Sequence, residues 1–132
     1  MIDLYSDEYF MGEALKEATK AMNLDEVPVG AVVVNNTRVI ARAHNLTERL
    51  NDVTAHAEMQ AITAASNLLG GKYLNDCTLY VTLEPCTMCV GAIYWARFGK
   101  VVFGSKDEKR GKTKTGLQCW FMEVLQAPKL FL

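Results

Sequence analysis

The chain has 132 residues, a length that suits one domain able to bury a hydrophobic core without disulfides. Half of its residues are hydrophobic and 22% are charged, which excludes an intrinsically disordered chain. With a net charge of −1 it has no general attraction for nucleic acid, so a polyanionic partner requires a local patch. The acidic first residues and the lack of a long apolar run predict a soluble, cytoplasmic protein with no membrane partner.

The first third of the sequence predicts a helix followed by a β-hairpin. Ser6 is a suitable cap for a helix that has acidic residues in its first turn and ends near Asn23. Residues 29–34 are rich in valine and predict a strand covered on both faces, because the apolar residues do not alternate. Residues 39–43 follow a short Asn-rich turn and predict its antiparallel partner.

The remaining sequence alternates between helix and strand signals. A helix capped by Asp52 or Thr54 is expected to end at Gly70, with a core-facing stripe of Met59, Ile62, Ser66 and Leu69. Residues 78–83 predict a strand, 86–97 a helix closed by Gly99, and 101–103 a second strand. This order predicts a parallel βαβ unit, because the connections are short. Residues 105–116 predict a loop and 117–125 a last helix.

Two short segments carry the side chains of a catalytic zinc site. His56-Ala57-Glu58 supplies an imidazole and a carboxylate, and Pro85-Cys86-Thr87-Met88-Cys89 supplies two thiols, with 26 residues between Glu58 and Pro85. Catalytic zinc takes three such protein ligands and leaves a fourth position for water. The pattern H-x-E…P-C-x-x-C is typical of zinc-dependent nucleobase deaminases.

The spacing within each segment favours a division of roles. Cys86 and Cys89 are three residues apart at the start of a predicted helix, so both sulfurs can reach one metal and the helix dipole favours thiolate. His56 and Glu58 are two residues apart, which on a regular helix directs them to different sides. We therefore expect His56 to bind zinc and Glu58 to reach the metal-bound water.

The chemistry that these groups predict is hydrolytic deamination. Zinc lowers the pKa of its bound water to about 7, which makes hydroxide available at neutral pH. The hydroxide attacks a ring carbon that bears an amino group, and ammonia leaves. Glu58 is expected to act as the catalytic proton shuttle, taking the proton of the water and passing it to the leaving amine.

The same residue types also occur in sites with other functions. A lone C-x-x-C also occurs in thioredoxin-like redox pairs and as half of a four-cysteine structural zinc site, but the sequence has no second such pair. Cys77 and Cys119 stand alone and predict buried apolar side chains. His44 is expected to pack or to face solvent, and Tyr94 and Trp95 to lie in the core or in an interface.

Four stretches resemble the cytidine-deaminase-like superfamily, and most closely the bacterial tRNA-specific adenosine deaminases, which make inosine at the wobble position. The stretches are Glu26-Val27-Pro28-Val29-Gly30-Ala31, Thr54-Ala55-His56-Ala57-Glu58, Leu79-Tyr80-Val81-Thr82-Leu83-Glu84-Pro85-Cys86, and Val101-Val102-Phe103-Gly104. The resemblance implies a three-layer α/β fold in which a mixed sheet of five strands, a hairpin plus a parallel βαβ unit, is flanked by helices.

The resemblance also implies the roles of individual residues. His56, Cys86 and Cys89 correspond to the ligands of one Zn²⁺ per chain, and Glu58 to the proton shuttle. Three further residues correspond to substrate-binding positions: Asn45 to a hydrogen-bonding side chain, Ala57 to a backbone contact, and Val29 to a wall of the pocket. The implied partners are a tRNA anticodon loop and a second copy of the chain, as a homodimer.

Two features depart from this family. Residues 1–132 are expected to form a single deaminase domain that lacks the family's final strand and helix. The pair Tyr94-Trp95 is more similar to the free-base guanine deaminases of the same superfamily, so deamination of free guanine or cytosine is the alternative function. A non-catalytic, zinc-stabilised RNA-binding or interaction module is a third possibility, consistent with the short chain and its small net charge.

Overall fold

A computed structural model describes residues 6–106 and, for the backbone alone, residues 122–124. The elements are α1 (Asp7–Asn23), β1 (Gly30–Asn35), β2 (Arg38–His44), α2 (Ala57–Leu69), β3 (Cys77–Val81), α3 (Thr87–Ala96), β4 (Lys100–Phe103) and β5 (Met122–Val124). They form one five-stranded sheet in the order β2-β1-β3-β4-β5. Strands β2, β1 and β3 pair antiparallel, whereas β3, β4 and β5 pair parallel, so the predicted mixed α/β sheet is confirmed.

The sheet separates two layers of helix. Val32 and Val33 are adjacent in β1 and fully buried, but they belong to different core clusters, because successive side chains of a strand point to opposite faces. The cluster of Val32 contains residues of α1, and that of Val33 contains residues of α2 and α3. The expectation that both faces of this strand are covered is therefore confirmed, and with it the three-layer architecture.

Local chemistry explains where the first elements begin and turn. The Ser6 side chain accepts a hydrogen bond from the Tyr9 N–H at 3.1 Å, which caps α1 as predicted. Asn36 and Thr37 connect β1 to β2 with φ of 52° and 63°, the left-handed values that a tight hairpin turn requires at both positions. The predicted hairpin is thus confirmed, with antiparallel pairing whose register shifts once, between Val33 and Val34.

The predicted beginning of α2 is wrong, and its predicted core face is confirmed only in part, by Ile62, which packs against the core. His56 itself is the N-cap residue of α2, while Asp52 accepts the Thr54 N–H in the turn that precedes the helix. The buried apolar side chains of the helix are alanines, at positions 57, 61 and 65, whereas the larger Leu69 is exposed. Small side chains allow α2 to approach the sheet closely, so the bulkier residues lie beside the contact and not within it.

Two predictions near the C-terminal part of the chain also change. Helix α3 spans Thr87–Ala96, close to the predicted 86–97, but the residue that closes it is Arg97, in the left-handed conformation with φ of 63°, and not Gly99. The predicted helix over 117–125 is wrong at residues 122–124, which form β5 beside β4. Other expectations fall outside the described residues: the rest of that helix, the burial of Cys119, most of the loop over 105–116, and the absence of a final strand and helix.

None of the described helices combines the length and the hydrophobicity that crossing a membrane requires.

Candidate active site

The N-termini of two helices meet at one end of the sheet. His56 is the N-cap residue of α2, Cys86 is the N-cap residue of α3, and Cys89 lies in the first turn of α3. The Nδ1 atom of His56 is 3.6 Å from Cys86 Sγ and 3.5 Å from Cys89 Sγ. The fold therefore brings together the three side chains that the sequence suggested as metal ligands.

The spacing of these atoms fits a zinc ion. In a tetrahedral site with Zn–N near 2.0–2.1 Å and Zn–S near 2.3 Å, neighbouring nitrogen and sulfur ligands lie about 3.6 Å apart. The two distances from His56 agree with that value, and the ligand atoms of the three residues all lie within 4.8 Å of one another. One imidazole and two thiols leave the fourth tetrahedral position open, as catalytic zinc sites do.

The two thiols differ in their electrostatic surroundings. A hydrogen bond from Cys89 lowers the pKa of Cys86 to about 5, against the opposing effect of burial, and the backbone N–H of Cys89 and the nearby His56 lower it further. The hydrogen bond with Cys86, together with burial and the nearby Glu58, raises the pKa of Cys89. Cys86 is thus a thiolate at neutral pH, the form that a metal binds.

Glu58 is the second residue of α2 and is 4% exposed. Burial raises the pKa of its carboxyl to about 6, although a backbone hydrogen bond and the proximity of His56 act in the opposite direction. The carboxyl also lies within hydrogen-bond reach of the Cys89 thiol. A carboxyl with a pKa near neutrality can both accept and return a proton, which is the requirement for general acid–base catalysis.

These groups face a cavity of about 210 Å³. Val29, Asn45 and Ala57, the three substrate-binding positions suggested by the sequence, all line it together with His56, Glu58 and Cys86. Four other lining residues were not anticipated: Val27, Thr47, Leu83 and Glu84. Val27, Leu83 and Glu84 lie inside stretches already noted as family-like, whereas no sequence signal distinguished Thr47.

Asn45 is a buried polar residue that has a free acceptor. Its side chain is 6% exposed, and its Oδ1 atom has no hydrogen-bond partner within the part of the chain that the structure describes. The backbone is held in place, because the Asn45 N–H donates to the Val29 carbonyl at 3.1 Å. A buried acceptor without a partner is costly, so a donor on a bound ligand would be favoured at this position.

Two side chains away from the metal ligands hold the backbone around Asn45. The Gln60 amide donates to the carbonyls of His44 and Ala55, at 2.7 and 3.1 Å, and so joins the two ends of the loop between β2 and α2. Glu26 accepts two backbone N–H groups from the same loop. Burial alone would raise the pKa of the Glu26 carboxyl, but these hydrogen bonds hold it below its usual value, so the group is ionised at neutral pH.

The structure also places four residues that the sequence analysis left outside the metal site. Tyr94 and Trp95 are 51% and 73% exposed, so the expectation of a core position is wrong for both, and an interface stays a prediction. His44 is half-buried, with Nδ1 3.3 Å from the Asn45 carbonyl, and does not line the cavity. Cys77 is buried, as predicted.

Comparison with known proteins gives one family. The family described as the cytidine and deoxycytidylate deaminase zinc-binding region matches residues 4–105. The chain is 54% identical over 109 residues to the tRNA-specific adenosine deaminase of Bacillus subtilis (strain 168), a match covering 83% of this chain and 68% of that protein. It is 52% identical over 104 residues to that of Aquifex aeolicus (strain VF5), covering 79% and 69% of the two chains.

Solved structures show the same likeness. A structure from work on A-to-I editing by tRNA:A34 deaminases at the wobble position is 44% identical, with a TM-score of 0.82, and the match covers 89% of this chain and 91% of that one. The guanine deaminase of Bacillus subtilis is 42% identical, with a TM-score of 0.74, and the match covers 76% and 65% of the two chains.

Proposed function

The chain belongs to the cytidine and deoxycytidylate deaminase family of zinc-dependent hydrolases, and we propose that it converts adenosine to inosine at the wobble position of tRNA. The observation that carries the proposal is that the cluster of His56, Cys86 and Cys89 lies at a cavity that Glu58 and Asn45 also line. The choice of a tRNA adenosine rests on the relatives, since several of them are tRNA-specific adenosine deaminases.

His56 Nδ1 and the sulfurs of Cys86 and Cys89 would hold the zinc ion. When bound there, zinc lowers the pKa of a coordinated water to about 7 and so supplies a nucleophile at neutral pH. The reaction forms a bond from oxygen to the C6 carbon of adenine, breaks the bond from C6 to its amino nitrogen, and releases ammonia. One water molecule is consumed: its oxygen and one hydrogen go to the base, and its other hydrogen goes to the ammonia.

Glu58 moves the protons in this proposal. Its carboxylate accepts the proton that the water loses and returns it to the departing amino group, which leaves as ammonia. The pKa of about 6 places the carboxyl mainly in the accepting form at neutral pH, yet close enough to return the proton readily. The side chain faces the cavity beside His56, so a base bound there would lie within its reach.

The remaining cavity residues bind and orient the base. Asn45 Oδ1 offers a buried acceptor to a donor of the base, and Val29 offers an apolar wall. Ala57 is the first residue of α2, where backbone N–H groups have no partner within the helix and can donate to a ligand. A base inside an RNA loop would have to be flipped out to enter this cavity.

We propose that the protein works as a homodimer in the cytoplasm. The large exposed surface of Trp95 and Tyr94 near the end of α3 supports a protein interface, because aromatic side chains of this size are enriched in interface cores. Three free cysteines among the described residues support a reducing compartment. Sedimentation of the wild-type chain and of Trp95→Glu tests the interface: the wild type should sediment as a dimer and the variant as a monomer.

A substrate panel tests the reaction. The zinc-loaded protein is given a tRNA anticodon stem-loop with adenosine at the wobble position, and separately free adenine, guanine and cytosine. We expect inosine in the stem-loop and no ammonia from the free bases, with Glu58→Gln inactive on all of them. Ammonia from guanine without inosine in the stem-loop would instead establish the alternative, a guanine deaminase.

A further inference from the structure

Glu26 connects two walls of the cavity without lining it. Its side chain is 5% exposed, and each carboxylate oxygen accepts one backbone N–H from the loop between β2 and α2. The Glu48 N–H donates to Oε1 at 3.0 Å, and the Arg49 N–H donates to Oε2 at 2.7 Å. The carboxylate thereby joins segments that are 22 and 23 residues apart in the sequence.

The part of the loop that Glu26 binds is a hydrogen-bonded turn over residues 46–52. The Leu50 N–H donates to the Leu46 carbonyl at 2.9 Å, and the Asp52 N–H to the Thr47 carbonyl at 3.0 Å. The N–H groups at the start of such a turn have no partner inside it and need an acceptor from elsewhere. Glu26 therefore acts as the N-terminal cap of this turn, although it comes from a distant segment.

Both residues next to these contacts line the cavity. Val27 follows Glu26 directly, and Thr47 directly precedes Glu48. A second connection between the same segments is the hydrogen bond from the Asn45 N–H to the Val29 carbonyl. The two connections lie on either side of Thr47, so the Glu26 contact is the one that holds the far side of Thr47 in place relative to Val27.

We propose that Glu26 is a positioning residue that sets the separation between the Val27 and Thr47 walls and thereby the binding of the base. The inference rests on the proposed function for its substrate, but its structural content does not depend on which base is bound. Glu26 is absent from the cavity lining, whereas Glu58, His56 and Cys86 are present in it. Its loss should therefore weaken substrate binding much more than it slows the chemical step.

The variant that tests this is Glu26→Gln. Glutamine keeps the size of the side chain, but its amide can accept from only one of the two N–H groups and turns a donor toward the other. Loss of a hydrogen bond to a charged group is expected to raise KM for the anticodon stem-loop by about tenfold, with kcat changed less than about twofold. Glu26→Asp, which keeps the charge but is one methylene shorter, should give an intermediate KM.

Glu17→Gln is the matched control. Glu17 is 3% exposed, forms ion pairs with Lys20 and Arg42, and lies on α1 outside the cavity lining. Its replacement removes a buried carboxylate of similar kind and should lower stability while leaving KM unchanged. An equal rise of KM in both variants would mean that any loss of stability has this effect, and the inference would be wrong.

A second measurement needs no substrate. Amide hydrogen exchange of Glu48 and Arg49 in the zinc-loaded protein should become at least about tenfold faster in Glu26→Gln and stay unchanged in Glu17→Gln. If the wild type makes no inosine, the proposed function fails while the exchange result still decides whether Glu26 holds the loop. Unchanged exchange at both amides would overturn the inference, whatever the activity.

Discussion

His56 Nδ1 lies 3.5 Å from Cys89 Sγ, although the two residues are 33 positions apart in the sequence. The contact exists because β1 and β3 are neighbours in the sheet, which places α2 and α3 side by side on one face with their N-termini together. The sequence between His56 and Cys86 thus contains helix α2 and strand β3, which lead the chain away from this end of the sheet and back to it. The site depends on the fold, and metal binding should in turn stabilise the fold.

Replacement of Cys89 by alanine should abolish zinc binding. The wild-type chain should contain about one zinc per chain, and the variant less than about a tenth of that, since a site with two protein ligands holds zinc weakly. Cys77→Ala is the matched control, because Cys77 is also a buried free cysteine but is not part of the cluster. Metal analysis of the three purified proteins decides the matter, and a metal-free, folded wild type would contradict the assignment.

Glu58→Gln should remove activity but not zinc. Glutamine has nearly the same shape as glutamate, yet it cannot accept and return a proton, and loss of a general acid–base group lowers kcat by about 10²–10⁴. Zinc content should equal that of the wild type, because Glu58 is not among the clustered ligands. A variant that keeps more than about a tenth of wild-type kcat would show that another group carries the proton.

The sequence predicts the parts of this site that depend on local spacing, and misses those that depend on packing. Cys86 and Cys89 share a helix start, so their common target follows from three-residue spacing. The contact between Glu26 and Glu48 does not follow from any periodicity, because it joins two irregular segments 22 residues apart. The alanine face of α2, with Ala61 at its centre, was missed because residue size, and not hydrophobicity, decides how closely a helix approaches a sheet.

Gly30→Ala should destabilise the protein strongly. A Cβ atom at this position would lie 2.1 Å from the Ala14 carbonyl oxygen and 2.4 Å from the Ala18 nitrogen, so α1 would have to move away from β1. Such overpacking costs about 1–3 kcal/mol or more in the free energy of unfolding. Gly12→Ala is the control, since an added Cβ there meets nothing within 4 Å, and alanine should stabilise the helix by about 0.5–1 kcal/mol. Chemical denaturation of both variants measures these opposite changes.

Glu13 should make the stability of the fold depend on pH. Hydrogen bonds from Lys16 and then from Arg42 hold the pKa of its carboxyl below the usual value of 4.5 in the folded chain. The stabilisation is therefore complete above the pKa that the Glu13 carboxyl has in the unfolded chain. It is lost as the pH falls through the lower pKa that the carboxyl has in the folded chain. Glu13→Gln should lower the free energy of unfolding by about 1 kcal/mol at pH 7, with the difference narrowing below about pH 4.5.

A second substitution checks the origin of that effect. In an Arg42→Met background, which removes one of the two cations, Glu13→Gln should cost less than it does in the wild type. An equal cost in both backgrounds would show that the hydrogen bond from Arg42 does not contribute. Denaturation curves of the four proteins at pH 7 give this comparison directly.

Asn45→Ala should separate substrate binding from stability. The Oδ1 atom is buried and has no partner among the described residues, so removing it takes away an unsatisfied polar group from the unliganded protein. The free energy of unfolding should therefore change by less than about 1 kcal/mol, because the loss of packing is offset by relief of that penalty.

Substrate binding should respond differently to Asn45→Ala. The lost acceptor leaves a donor of the base unpaired, so KM should rise by about tenfold. Asn67→Ala, at an exposed position of α2 outside the cavity lining, should change neither quantity appreciably. A large loss of stability in Asn45→Ala without a change in KM would show that Asn45 supports the loop and does not contact the base.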